Sequence, residues 1–190
     1  MKEIDVYKVL EGKNPKLARR VPRFVVDYLR RTIHEREVNE ILARFGDLEG
    51  IAFVRAALGY MNVRYHSVGM ERLNPEGRYV FASNHPFGGM DGLMLADEVA
   101  RYFGDVRVVV NDLLMYLGPL RGLFVPVNKH GRQDAGSVEA FNNAFASDVP
   151  IVTFPAGLCS RRRRGVVRDL EWKPNFVKKA AAYGRDVGPV

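Results

Sequence analysis

Beyond residue 77, short runs of β-branched and aromatic residues alternate with stretches whose apolar residues recur at helical spacing. Residues 78–82, 106–110, 123–127 and 151–154 read as strands, and the segments following Asp91 and spanning 136–146 read as helices. Strands separated by helices are joined by crossovers rather than tight hairpins, so the pattern predicts an α/β fold: a mixed sheet layered with helices. Residues 62–68 and 186–190 read as further strands, and 113–117 as a short apolar turn. No internal repeat or low-complexity linker divides this region.

The chain before Tyr65 is predominantly helical in pattern. Asn14-Pro15 can open a helix running through Leu17, Val21, Phe24, Val25, Tyr28 and Leu29, with Pro22 forcing a break or restart. A second helix is predicted over about residues 35–45 and a third over about 47–60. The third is apolar around much of its circumference, which fits burial against a core better than a seat at a membrane interface. The expected organisation is therefore a helical extension over residues 1–61 and an α/β domain over 62–190. The final residues look like the opening of a strand, so the domain is expected to be incomplete at its carboxyl end.

One stretch carries chemistry. Ser83-Asn84-His85-Pro86-Phe87-Gly88-Gly89-Met90-Asp91-Gly92 links a predicted strand to a predicted helix, which places His85 at a strand's carboxyl end and Asp91 at a helix start. Six residues of separation would put the two side chains on different faces of a continuous helix, so they meet only if the Pro-Phe-Gly-Gly segment folds back. Gly88 and Gly89 permit such a turn. A carboxylate accepting from one imidazole nitrogen fixes the tautomer and leaves the other nitrogen available as a base. The competing reading makes Asp91 a helix cap and His85 a satisfied core histidine.

These residues, together with Phe154-Pro155-Ala156-Gly157-Leu158-Cys159-Ser160, resemble the lysophospholipid (glycerolipid) acyltransferase family. That family's first block is Asn-His followed by four or five variable residues and Asp, and its third is Phe-Pro-Glu-Gly followed by Ser. The five-residue spacing here is most similar to the branch that includes proteins labelled hemolysins and the acyltransferases of ornithine and glycine lipids. The resemblance runs from about Tyr65 to the end of the chain. It implies a catalytic pair, His85 and Asp91, and substrate-binding positions at Asn84, Gly88, Gly89, Phe124, Asn128, Lys129, Phe154, Pro155, Ala156, Gly157, Ser160 and Arg161. It further implies direct transfer of a fatty acyl group from a thioester on acyl carrier protein or coenzyme A to a lipid-precursor hydroxyl or amine, with no metal and no cofactor beyond that co-substrate. Backbone N–H groups around Gly88, Gly89 or Gly157 are candidates for holding the oxyanion.

Two departures bear on the acceptor. In the family's second block a Gly leads through apolar residues to an Arg, and the match here, Gly122-Leu123-Phe124-Val125-Pro126-Val127-Asn128-Lys129, puts Asn128 or Lys129 in the basic position. In the third block Ala156 replaces Glu, and Cys159 stands where many members carry Arg. Those charged residues are associated with holding a glycerol phosphate, so their absence favours an amino-acid-based acceptor, whose carboxylate Arg161 is placed to hold.

Composition limits the alternatives. The formal charge is +7, with arginines concentrated at Arg19-Arg20, Arg30-Arg31 and Arg161-Arg162-Arg163-Arg164. Such clusters attract anionic headgroups, coenzyme A phosphates, acidic carrier proteins or nucleic acid by the same Coulombic attraction, or simply remain solvated. A second reading is thus a non-catalytic basic module that binds a membrane or nucleic acid; the acyltransferase reading expects no nucleic acid. One cysteine, Cys159, excludes an internal disulfide framework. Paired with His85 as base it would be a thiolate nucleophile, although the third block already accounts for the turn it occupies. With no signal-peptide plan and no apolar run near ~20 residues, the expected location is cytoplasmic, peripheral to the inner face of the membrane.

Overall fold

The computed structural model describes residues 3–127 and 135–190. The amino-terminal helices are α1 (Val6–Lys13), α2 (Pro15–Ala18), α3 (Arg23–Thr32), α4 (Glu35–Phe45) and α5 (Gly50–Tyr60). The sheet region then runs β1 (Tyr79–Ala82), α6 (Gly89–Phe103), β2 (Arg107–Asn111), β3 (Phe124–Val127), α7 (Ala135–Ala146) and β4 (Ile151–Thr153). An insertion of β5 (Arg161–Arg163) and β6 (Val166–Arg168) precedes α8 (Asn175–Ala182) and β7 (Asp186–Pro189).

The five strands of the main sheet lie in the order β3-β2-β4-β1-β7 and pair in parallel throughout. Antiparallel pairing is present too, but in the separate two-stranded ribbon β5-β6. The layered α/β architecture read from the sequence is the observed one.

Both faces of the sheet are covered, which is why its central strands are apolar without alternation. On one face Phe81, Val108, Val110 and Val152 pack with Val99 of α6, with Phe53, Val54 and Leu58 of α5 and with Ile41 and Leu42 of α4. On the other, Val80 and Ile151 meet Phe145 of α7 and Ala180 of α8. Helices α4 and α5 therefore share a core with the sheet, and the apolar circumference of α5 is a packing surface.

Segment 62–68 is not a strand. Its β-branched and aromatic Val63, Tyr65 and Val68 suggest one, but Tyr65 is tied to α6: its hydroxyl donates to Asp97 Oδ2 at 2.6 Å. Asp97, buried in α6, also accepts from Arg55 Nε of α5 at 2.8 Å and from Arg101 Nη2 at 3.1 Å. Burial pushes the Asp97 carboxyl up, but these three donors outweigh it and hold the group below its ordinary range. The network pins the segment to α5 and α6.

A second polar device closes the opposite layer. Arg185, only 5% exposed, donates to the carbonyls of Ala144, Phe145, Ser147 and Val149, and Arg78 donates to those of Phe145, Ala146 and Ser147. Those of Ala144, Phe145 and Ala146 belong to the last turn of α7, where carbonyls lack intrahelical partners, and those of Ser147 and Val149 to the loop that follows; cations also suit the negative end of the helix dipole. The pair locks α7 against β1 and β7.

Candidate active site

The chain leaves β1 for α6 on one face of the sheet and leaves β4 for α8 on the other, although β1 and β4 are neighbours. Where adjacent parallel strands send their connections to opposite faces, a crevice opens beyond their carboxyl ends. The His85 loop follows β1 and the Phe154-Pro155-Ala156-Gly157 turn follows β4, so the topology brings both to that crevice.

The local fold of the histidine loop depends on Gly88. Its φ of 65° and ψ of −131° place it in a region open to glycine, and it starts α6 directly after the turn. The turn swings Asp91, in the first turn of α6, back under His85. Nδ1 of the imidazole lies 3.0 Å from Asp91 Oδ2, and the Phe87 N–H donates to the same oxygen at 2.9 Å. A carboxylate only accepts, so the contact puts the proton on Nδ1, and in the neutral imidazole Nε2 is then the nitrogen that carries the lone pair. The Asp91 side chain is 8% exposed and that of His85 18%, which leaves the imidazole reachable above a buried anchor.

Phe154 stacks on the imidazole, with ring centroids 4.0 Å apart and planes inclined by 26°. The third-block aromatic thus packs against the His85 ring. Gly157 has φ of 65°, and its N–H donates to Phe154 O at 2.8 Å to close the turn. That amide is committed within the turn, which removes it from the candidate oxyanion donors and leaves Gly88 and Gly89 at the start of α6. Ala156, where the family has Glu, is buried, and Pro155 accepts from the Lys173 N–H at 3.2 Å.

Ser160 joins the two loops. Its N–H donates to His85 O at 2.8 Å, and its hydroxyl donates to Asp169. Asp169 also accepts from the His85 N–H at 3.2 Å and from Trp172 Nε1 at 2.8 Å. Partial burial raises the Asp169 carboxyl, but the Ser160, Trp172 and His85 donors more than offset it and hold the group below its ordinary range. Sequence reading missed both Asp169 and Trp172. Neither belongs to a periodic pattern, and nothing in the order of residues links position 169 to position 85.

The remaining expected positions divide. Cys159 is exposed, and its Sγ stands 3.5 Å from where a Cβ on Gly88 would lie, so it flanks the histidine turn. Asn84 and Gly89 are exposed on the loop, and Arg161 is exposed at the start of the ribbon, opposite Arg168. Phe124 sits in β3 and is partly buried against the core on the α5 face. Asn128 and Lys129 lie outside the described residues.

The sequence matches known proteins along nearly all of this chain. A family model described as "Acyltransferase" covers residues 8–190. This chain belongs to that acyltransferase family. It is 44% identical over 188 residues to a lyso-glycine lipid O-acyltransferase of Bacteroides thetaiotaomicron, spanning 98% of this chain and 69% of that protein. A lyso-glycine lipid O-acyltransferase of Phocaeicola vulgatus is 42% identical over 188 residues, spanning 98% of this chain and 67% of its own length. No helix among the described residues of this acyltransferase is long and apolar enough to cross a membrane.

Proposed function

We propose that this acyltransferase esterifies the hydroxyl of a lyso-glycine lipid with a fatty acyl group taken from a thioester of acyl carrier protein or coenzyme A. The observation that carries the reading is the His85–Asp91 pair, with Nδ1 anchored at 3.0 Å and Nε2 left as the basic nitrogen at the mouth of the crevice. The names of the two similar proteins supply the acceptor class.

In this reading Nε2 takes the acceptor hydroxyl proton as the oxygen forms its bond to the thioester carbonyl carbon. The resulting oxyanion is held by the N–H groups of Gly88 and Gly89 at the positive end of α6. Its collapse breaks the C–S bond, and the imidazolium returns the proton to the departing thiolate, so the enzyme ends as it began. Asp91 keeps the imidazole oriented and stabilises its charged form throughout. The buried Ala156 offers no acceptor for a substrate and no balance for a cation. Arg161 serves instead as the donor to the glycine carboxylate. A seat on the inner membrane face would bring the acceptor within reach.

The test is a side-by-side assay with lyso-glycine lipid and lysophosphatidic acid, using acyl carrier protein and coenzyme A donors, read by mass spectrometry. Preferential formation of the diacylated glycine lipid is expected. Acylation of lysophosphatidic acid alone would overturn the acceptor assignment.

A further inference from the structure

The β5-β6 ribbon has both faces in solvent. All its residues are exposed, with Val166 at 60% and Val167 at 58%, and the pairs Arg161↔Arg168, Arg162↔Val167 and Arg163↔Val166 put arginine and valine on each side. Two-stranded ribbons are marginal in water, and cross-strand arginines repel. The turn adds to this: Arg164 has φ of 50° and Gly165 φ of 83°, a primed hairpin turn in which Asn or Asp ordinarily fills the first position. No acidic residue interrupts residues 161–168. A ribbon that combines exposed valines, arginines on both faces and an arginine at a strained turn is suited to a partner that is anionic at its surface and apolar just beneath.

Its root lies at the site. Ser160, immediately before β5, and Asp169, immediately after β6, are the two residues bonded to the His85 backbone. With three residues in each strand, the tip projects roughly 10 Å from that root.

We infer that the β5-β6 ribbon docks this acyltransferase on an anionic lipid bilayer, Arg162, Arg163 and Arg164 meeting headgroup phosphates and Val166 and Val167 entering the interfacial layer, so that the His85 crevice faces the source of its acceptor. The inference rests on the lipid acceptor proposed above. Arginines gain electrostatic attraction and valines gain apolar burial at the same surface, and neither contribution alone explains a mixed ribbon. Nucleic acid would satisfy the arginines but leave both valines in water.

The full chain is tested by co-sedimentation with phosphatidylcholine vesicles, with and without phosphatidylglycerol, and by emission of Trp172, the single tryptophan, at the ribbon's root. Two double variants separate the contributions: Val166→Asp with Val167→Asp, and Arg162→Glu with Arg164→Glu. The account expects binding to phosphatidylglycerol-containing vesicles, at least about tenfold weaker binding to neutral ones, and a loss of about tenfold or more in each variant. Both variants should still acylate acceptor dispersed in detergent at the wild-type rate. Binding that the valine variant retains in full, that does not distinguish the two vesicles, or that an oligonucleotide reproduces with the same independence of the valines would overturn the inference. Absence of acyl transfer in detergent by the wild type would instead count against the function proposed above, with vesicle binding still read separately.

Discussion

Replacing Asp169 with Ala removes the acceptor of three donors at once: the Ser160 hydroxyl, the Trp172 indole and the His85 N–H. A buried charge-assisted hydrogen bond contributes about 1.5–3 kcal/mol, and because Asp169 is only half-buried each is reduced here to about 1 kcal/mol. The expected loss is about 2–3 kcal/mol, which for a chain of this length lowers Tm by about 4–12 °C. Asp169→Asn keeps one acceptor oxygen and should lose about half as much. The sign with pH follows from the lowered carboxyl: the folded value lies below the unfolded one, so the contribution is present above the unfolded value and disappears as pH falls through the folded one. The gap between wild type and Asp169→Asn should therefore narrow in acid, below about pH 4. Calorimetry across pH, with Trp172 emission as a local reporter of the lost indole bond, makes the measurement. An Asp169→Ala protein with unchanged Tm and unchanged emission would refute the claim that this carboxylate joins the two loops.

Three other outcomes follow from the same geometry. Arg185→Ala removes the buried donor to the Ala144 and Phe145 carbonyls of α7 and to the Val149 carbonyl beyond it, and should cost about 2–4 kcal/mol in urea unfolding, with Arg185→Lys recovering only part because an ammonium cannot span the same acceptors. Gly88→Ala has room for its Cβ, 3.5 Å from Cys159 Sγ, yet should lower both stability, by about 1–3 kcal/mol, and acyl transfer, because the strain lies in the backbone; equal activity in a steady-state assay would contradict the turn's role. Asp91→Asn should keep the fold by thermal denaturation while slowing transfer at least about a hundredfold, since an amide no longer enforces the tautomer that leaves Nε2 unprotonated.

What the sequence revealed was what local pattern encodes. The apolar runs of β1, β2 and β4 announce strands buried on both faces, and the Gly-Gly turn between His85 and Asp91 announces a fold-back, because each depends on neighbours in the chain. The bounds of α4 were legible for the same reason. Residues 62–68 show the limit: Val63, Tyr65 and Val68 suggest a strand, but the Tyr65–Asp97 bond ties the segment to α6 across 32 positions. The ribbon was hidden because four consecutive arginines carry no strand signature; its existence rests on Gly165 and on pairing with Val166 and Val167. Asp5 accepts from the N–H groups of Tyr7 and Lys8 and so caps α1, a start signal overlooked because the helix it opens has little amphipathic contrast. Asp169 was beyond reach, since its partners lie 84, nine and three residues away and only the folded chain assembles them.

The central claim is that Nε2 of His85 is the base for acyl transfer, and single-turnover transfer by His85→Ala to lyso-glycine lipid tests it most directly. A variant that melts with the wild type should transfer about a hundred- to ten-thousandfold more slowly. A folded His85→Ala protein that transfers at the wild-type rate would contradict the account.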